Sequence, residues 1–224
     1  MRKALGISVM LFLVGCKSNP PIHVQNPPVK ALPSGWTQAS SKDGLVSAGV
    51  PGGWRFGVDR MTSDFGSGTL GDDASQNPQL QQLTQQMDNM GKEAEQERLN
   101  ELYEKGILLH VINGSKPIFD EARTKFVVRR QKGSSNWTFD QAAELERGEY
   151  AHKPNRKDVN LPIGRAVKLW LSEDLRNGST IHRISYLAIE GKDLYVLRFV
   201  TQEPKETIES VADQVAQTWR IKPG

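Results

Sequence analysis

Two tight turn signals in the last third of the chain constrain the fold more than any other feature. Asn177-Gly178 and Gly191-Lys192-Asp193 separate three runs, Leu161–Leu171, Thr180–Ile189 and Leu194–Thr201, rich in β-branched and aromatic residues and partly alternating in polarity. Connections this short join antiparallel neighbours, so the three runs are expected to form a meander. Pro204 then opens a helix with Ile208, Val211, Ala212, Val215 and Trp219 on one face, which should cover the sheet.

Upstream, Leu45–Val50 and Trp54–Val58 read as two short strands, and Pro51-Gly52-Gly53 between them predicts a hairpin. The segment Asp64–Asp73 formally contains G-x-G-x-x-G, yet Asp72 and Asp73 would repel a phosphate and no helix opens at its last glycine. It reads as a loop. Asn77-Pro78 is a good cap and first-turn pair and Gly106 a good stop, which predicts a long helix between them. Leu80, Leu83, Met87, Met90 and Ala94 recur at steps of three and four, and Leu99, Leu102 and Tyr103 resume after a phase slip. The simplest expectation is that this stripe packs on the domain's own sheet. The sharper one makes Leu80, Leu83, Met87 and Met90 a candidate binding surface for a partner or a second copy. Ile107–Ile112 and Thr124–Arg130 read as strands, and Trp137–Arg147 as a second helix with Glu144, Glu146 and Glu149 on its solvated face.

This order of elements predicts an α+β fold, an antiparallel β-sheet covered by helices. Gly49-Val50-Pro51-Gly52-Gly53-Trp54, Trp137-Thr138-Phe139-Asp140-Gln141-Ala142-Ala143, and Ile181–Thr201 with the closing helix to Trp219-Arg220-Ile221 resemble the PsbP-like superfamily. That superfamily includes an extrinsic photosystem subunit and the DcrB-like bacterial lipoproteins. The resemblance runs over roughly residues 40–222 and implies a PsbP-like α/β/α sandwich, with the long helix as an insertion. It also implies work through protein contacts, and it brings no catalytic residues to carry over.

Cys16 is the only cysteine, so the chain offers no disulfide, and stability must come from packing. Its setting is informative. Met1-Arg2-Lys3 leads into an apolar run, Ala4–Val14, too short to span a bilayer, and the segment reads as an export signal over 1–15. Leu13-Val14-Gly15-Cys16 resembles the bacterial lipobox, with Cys16 as the lipidated residue. Residues 16–35 carry Pro20, Pro21, Pro27, Pro28 and Pro33 and read as an extended tether, which leaves 36–224 as a single globular domain. Two or three acyl chains would hold the protein at a membrane, and Lys17 points to the outer membrane, facing the periplasm, in a two-membrane host.

Removing 1–15 takes away Arg2 and Lys3 and no acid, which lowers the net charge from +3 to near +1. So weak a balance argues against nucleic acid as a partner. Arg129-Arg130 with Lys132, and Lys153 with Arg156 and Lys157, are the basic clusters, and both are expected to flank loops. The four histidines, His23, His110, His152 and His182, lack metal-ligand spacing, and no G-x-S-x-G elbow is present. No cofactor, metal or catalytic set is therefore expected. Of the five tryptophans most should be core, with Trp36, where tether meets domain, the one expected to be exposed. The expectation is a lipid-anchored protein-binding or assembly module of the cell envelope. The alternative is a carrier holding a lipid or small apolar ligand between helix and sheet.

Overall fold

The computed structural model describes residues 27–57, 78–114, 124–148, 153–175 and 178–222. The lipobox, Cys16, most of the tether and the Asp64–Asp73 loop lie outside the described residues, as do His23, Glu149 and His152. In chain order the elements are β1 (Thr37–Ser40), β2 (Val46–Val50), β3 (Trp54–Phe56), α1 (Pro78–Glu104), β4 (Ile107–Asn113), β5 (Lys125–Lys132) and α2 (Phe139–Arg147). There follow β6 (Asn155–Leu161), β7 (Gly164–Asp174), β8 (Thr180–Glu190), β9 (Asp193–Thr201), α3 (Lys205–Thr218) and β10 (Arg220–Ile221).

The fold is α+β. A seven-stranded antiparallel sheet runs β3-β4-β5-β9-β8-β7-β6, and a three-stranded sheet runs β1-β2-β10. The expected meander is its centre: β7, β8 and β9 pair in antiparallel register, Trp170 opposite Ile184 and Ile184 opposite Phe199. Alternation sorts the side chains. Phe126, Val128, Ile184, Tyr186, Leu197 and Phe199 join one core cluster, beneath α3 and the small sheet. Val167, Leu169, Leu187, Leu194 and Val196 join a second, with Ala142 of α2. Helices therefore lie on both faces.

Ion pairs between helix and sheet fasten the last helix and the short helix α2. Lys168 of β7, almost wholly buried, donates to Glu209 at 2.7 Å and Asp213 at 2.8 Å on α3. Tyr186 also donates to Asp213; burial first, and then this hydrogen bond, raise its phenol far above the ordinary tyrosine range. Under α2 the roles reverse, and a helix carboxylate descends between two strand arginines. Although only nine residues long, α2 is well capped. Thr138 Oγ1 accepts from the Gln141 amide at 3.2 Å while Gln141 Oε1 accepts from the Thr138 amide at 2.9 Å.

Several expectations need correction. The predicted hairpin of Leu45–Val50 with Trp54–Val58 does not form: β2 pairs with β1 and β10, whereas β3 pairs with β4 in the large sheet. Pro51-Gly52-Gly53 thus carries the chain from one sheet to the other. The predicted strand Leu161–Leu171 crosses a turn at Pro162-Ile163, before which β6 forms the sheet's edge. Both basic clusters lie largely within strands rather than beside loops. Arg129 and Arg130, consecutive on β5, point to opposite faces, one to Glu146 and the other to Asp193. Arg156 on β6 pairs with Asp140 at 2.5 Å. Trp36 is half-buried against the core rather than exposed, and among the tryptophans only Trp219 is fully buried.

Candidate functional site

The long helix α1 spans 27 residues, about 40 Å at 1.5 Å per residue. It ends at Gly106, whose φ of +82° places it in the left-handed region; a Cβ there would come within 2.5 Å of the Arg130 carbonyl oxygen. Its C-terminal half is docked. Tyr103 donates to Asp43 at 2.9 Å, Lys42 to Asn100 at 3.2 Å, and Arg55 pairs with Glu95 at 3.3 Å. Leu99, Leu102 and Tyr103 close over β4 around a groove of about 190 Å³, which Phe56, Ile107, Leu108 and His110 help to line.

The first half behaves differently. Leu83 is 53% and Met90 69% exposed, and Ala94 is exposed as well. The expectation that the whole stripe packs on the domain's sheet is therefore wrong for these residues. The phase slip explains it: at about 100° per residue, Leu83, Met90 and Ala94 fall within about 40° of one another and roughly 150° from the docked Leu99, Leu102 and Tyr103. The helix carries two apolar stripes on nearly opposite sides. One faces the body and the other faces away. The side chains of Leu80 and Met87, also expected on the binding surface, lie outside the described residues.

Asp43 titrates in a way that reports on this docking. Burial pushes its carboxyl up, but hydrogen bonds from Ser41, the Leu45 amide and Tyr103 outweigh it and hold the group below its usual range. A depressed carboxylate contributes stability at neutral pH that is lost as pH falls through its folded pKa, so acid should loosen the end of α1. Tyr103→Phe removes one donor. The Asp43 carboxyl should then titrate nearer its ordinary range, which an NMR pH titration of the side-chain carbon would measure; an unchanged titration would show that the Tyr103 contact is absent in solution.

A second constellation went unrecognised in the sequence. Glu146, expected on a solvated face, is only 3% exposed and accepts from Arg129 at 2.7 Å, Arg198 at 2.5 Å and Ser185 at 2.7 Å. The available signal was Glu146 lying four residues after Ala142, on the apolar face of α2, with Arg198 interrupting the apolar alternation of β9. This cluster joins helix to sheet and opens onto a void of only about 10 Å³, too small for a substrate.

Ser172 and His182 meet across β7 and β8 at 2.7 Å, but on an exposed strand surface, without a cleft. His110 Nδ1 lies 2.6 Å from the Gly57 carbonyl oxygen. Among the described residues no group of three or more His, Cys, Asp or Glu could hold a metal, and no helix is long and apolar enough to cross a membrane.

The class these observations define is an α+β fold with a long helix docked through its C-terminal half. No family model matches the chain, and no curated protein matches it. Several solved structures are similar to it, and two of them are described. One, from Bacteroides thetaiotaomicron, is 13% identical over 84% of this chain with a TM-score of 0.45, and this chain spans about half (49%) of its length. The other, cyanobacterial PsbP (CyanoP) from Synechocystis sp. PCC 6803, is 11% identical over 92% of this chain and 99% of its own, with a TM-score of 0.35.

Proposed function

We propose that this chain is a lipid-anchored, non-catalytic protein-binding module of the bacterial cell envelope, held at Cys16 and facing the periplasm from the outer membrane in a two-membrane host. The observation that carries the reading is the outward apolar stripe of α1, with Leu83 and Met90 more than half exposed on a helix whose docking is completed by its other side. The lipobox Leu13-Val14-Gly15-Cys16 supports the anchor, and confinement to a membrane makes a modest contact productive by raising effective concentration. A carrier role has the groove between α1 and β4 in its favour. At about 190 Å³ that groove is below the roughly 300 Å³ at which small-molecule sites begin, and the meander does not line it.

The test is made in intact cells, with photoreactive residues at Leu83 and Met90, and with metabolic labelling by palmitate. Protein adducts at both positions, and a label abolished by Cys16→Ala, are the expected outcome. Adducts to lipid alone would overturn the protein-binding reading, and a label that survives Cys16→Ala would overturn the anchor.

A further inference from the structure

The basic cluster of Lys153 and Arg156 borders a cleft of about 380 Å³ between α2 and the start of β6, above the roughly 300 Å³ at which small-molecule sites begin. One wall is a stripe of α2, where Asp140, Ala143, Glu144 and Arg147 recur at helical steps. Lys153, Pro154 and Arg156 form the facing wall, and Leu169 of β7 closes the cleft. Its apolar and charged residues are sorted by depth. Leu169 is 3% exposed and Ala143 and Pro154 are half-buried, whereas Asp140, Glu144, Arg147, Lys153 and Arg156 stand at an open rim.

The rim selects the charge of an occupant. Arg147, Lys153 and Arg156 stand against Asp140 and Glu144, three cations to two carboxylates, which leaves a balance of +1. Arg156 pairs with Asp140 at 2.5 Å and Arg147 with Glu144 at 3.2 Å, and both pairs are exposed enough for water to weaken them. Each of these guanidinium groups meets its carboxylate through Nη1, so other N–H donors remain for a ligand. Lys153 has no carboxylate partner among the described residues. Asp158, the next charge on that face of β6, is answered by Arg165 at 2.8 Å and lies outside the cleft. A monoanion therefore balances the rim, whereas a phosphate monoester brings further negative charge that would meet only Asp140 and Glu144. The interior calls for hydrocarbon: a dry cavity of about 150 Å³ takes a benzene ring, so this cleft has room for a chain of about eight carbons. We propose that the cleft binds a small organic carboxylate, its anionic group between Arg147, Lys153 and Arg156 and its hydrocarbon on Ala143, Pro154 and Leu169. This site shares no residue with the outward stripe of α1, so either can fail without the other.

The test is equilibrium dialysis of radiolabelled octanoate against the full chain in phosphatidylcholine nanodiscs, with protein-free discs subtracted. Saturable binding of one octanoate per chain is expected, and neither octan-1-ol, which lacks the charge, nor inorganic phosphate, which lacks the hydrocarbon, should displace it. Arg147→Ala combined with Lys153→Ala should weaken binding at least about tenfold, because both charge-assisted contacts are lost. Both side chains stand at the rim, so the urea midpoint of this variant should match the parent's. Glu144→Gln should tighten binding about threefold by removing a like charge and freeing Arg147, a gain that a misfolded variant cannot mimic. Octanoate uptake that does not saturate, that survives the loss of both cations, or that gains nothing from Glu144→Gln would overturn the proposal. Displacement by soluble dihexanoyl phosphatidylglycerol at a lower concentration than unlabelled octanoate would overturn it in favour of a phospholipid headgroup.

Discussion

Glu146→Leu is expected to destabilise the fold by about 3 kcal/mol, read as a lower urea midpoint at unchanged slope. The carboxylate is 4% exposed, while its partners Arg129 and Arg198 are 26% and 15% exposed. Removing it strips the opposing charge from two guanidinium groups already largely shielded from water, whereas the leucine recovers only part of the loss by packing. The nearby Ala142 seam of α2 is short, so the carboxylate is also the main polar anchor between this helix and β5, β8 and β9. Glu146→Gln keeps an acceptor for Ser185 and should cost less than the leucine. Equal costs for the two would mean that the acceptor glutamine retains for Ser185 contributes nothing, and that the loss comes from the missing charge.

The second large effect is expected at Trp219, which ends α3 and is fully buried among Val46, Ala48, Ile208 and Val215. Trp219→Ala should cost about 4 kcal/mol, because the lost contacts and the cavity add, and denaturant melts would measure it. Trp219→Phe separates two contributions. The indole Nε1 is buried without a hydrogen-bond partner in the described structure, so phenylalanine sacrifices no hydrogen bond and should cost well under half as much. A phenylalanine variant as unstable as the alanine one would show that the indole nitrogen is bonded in solution.

What the sequence made legible follows from where its signals come from. The meander was readable because turns as short as Gly191-Lys192-Asp193 leave one pairing, and α3 because five apolar residues repeat at helical steps under one sheet. The strand β6 was hidden because an edge strand open to water has no need to alternate; its Asn155-Arg156-Lys157-Asp158 reads as loop. The four-residue β1 was hidden for the same reason. The Pro51-Gly52-Gly53 signal correctly marked a reversal, but a local turn cannot say whether the next strand rejoins its neighbour or a different sheet. Of the candidate surface, the residues were legible and their exposure was not. Only the angle between the two stripes of α1 decides which of them meets the body, and that follows from the phase slip. The Glu146 cluster was the opposite case, because a carboxylate on a short helix looks solvated until strands far apart in sequence bring Arg129 and Arg198 beneath it.

The small sheet also sets how the molecule bears load. Residues 27–36 lead directly into β1, which is bonded on one side only, to β2; on its other side β2 holds β10, which follows α3. A pull on the residues before Thr37 therefore loads the Trp36 contact with the core and the four register pairs from Thr37–Val50 to Ser40–Ser47 before it reaches the clasp between β2 and β10 or the seven-stranded sheet. Such a strand acts as a mechanical fuse. It can peel and re-form under tension while the body that presents α1 stays folded.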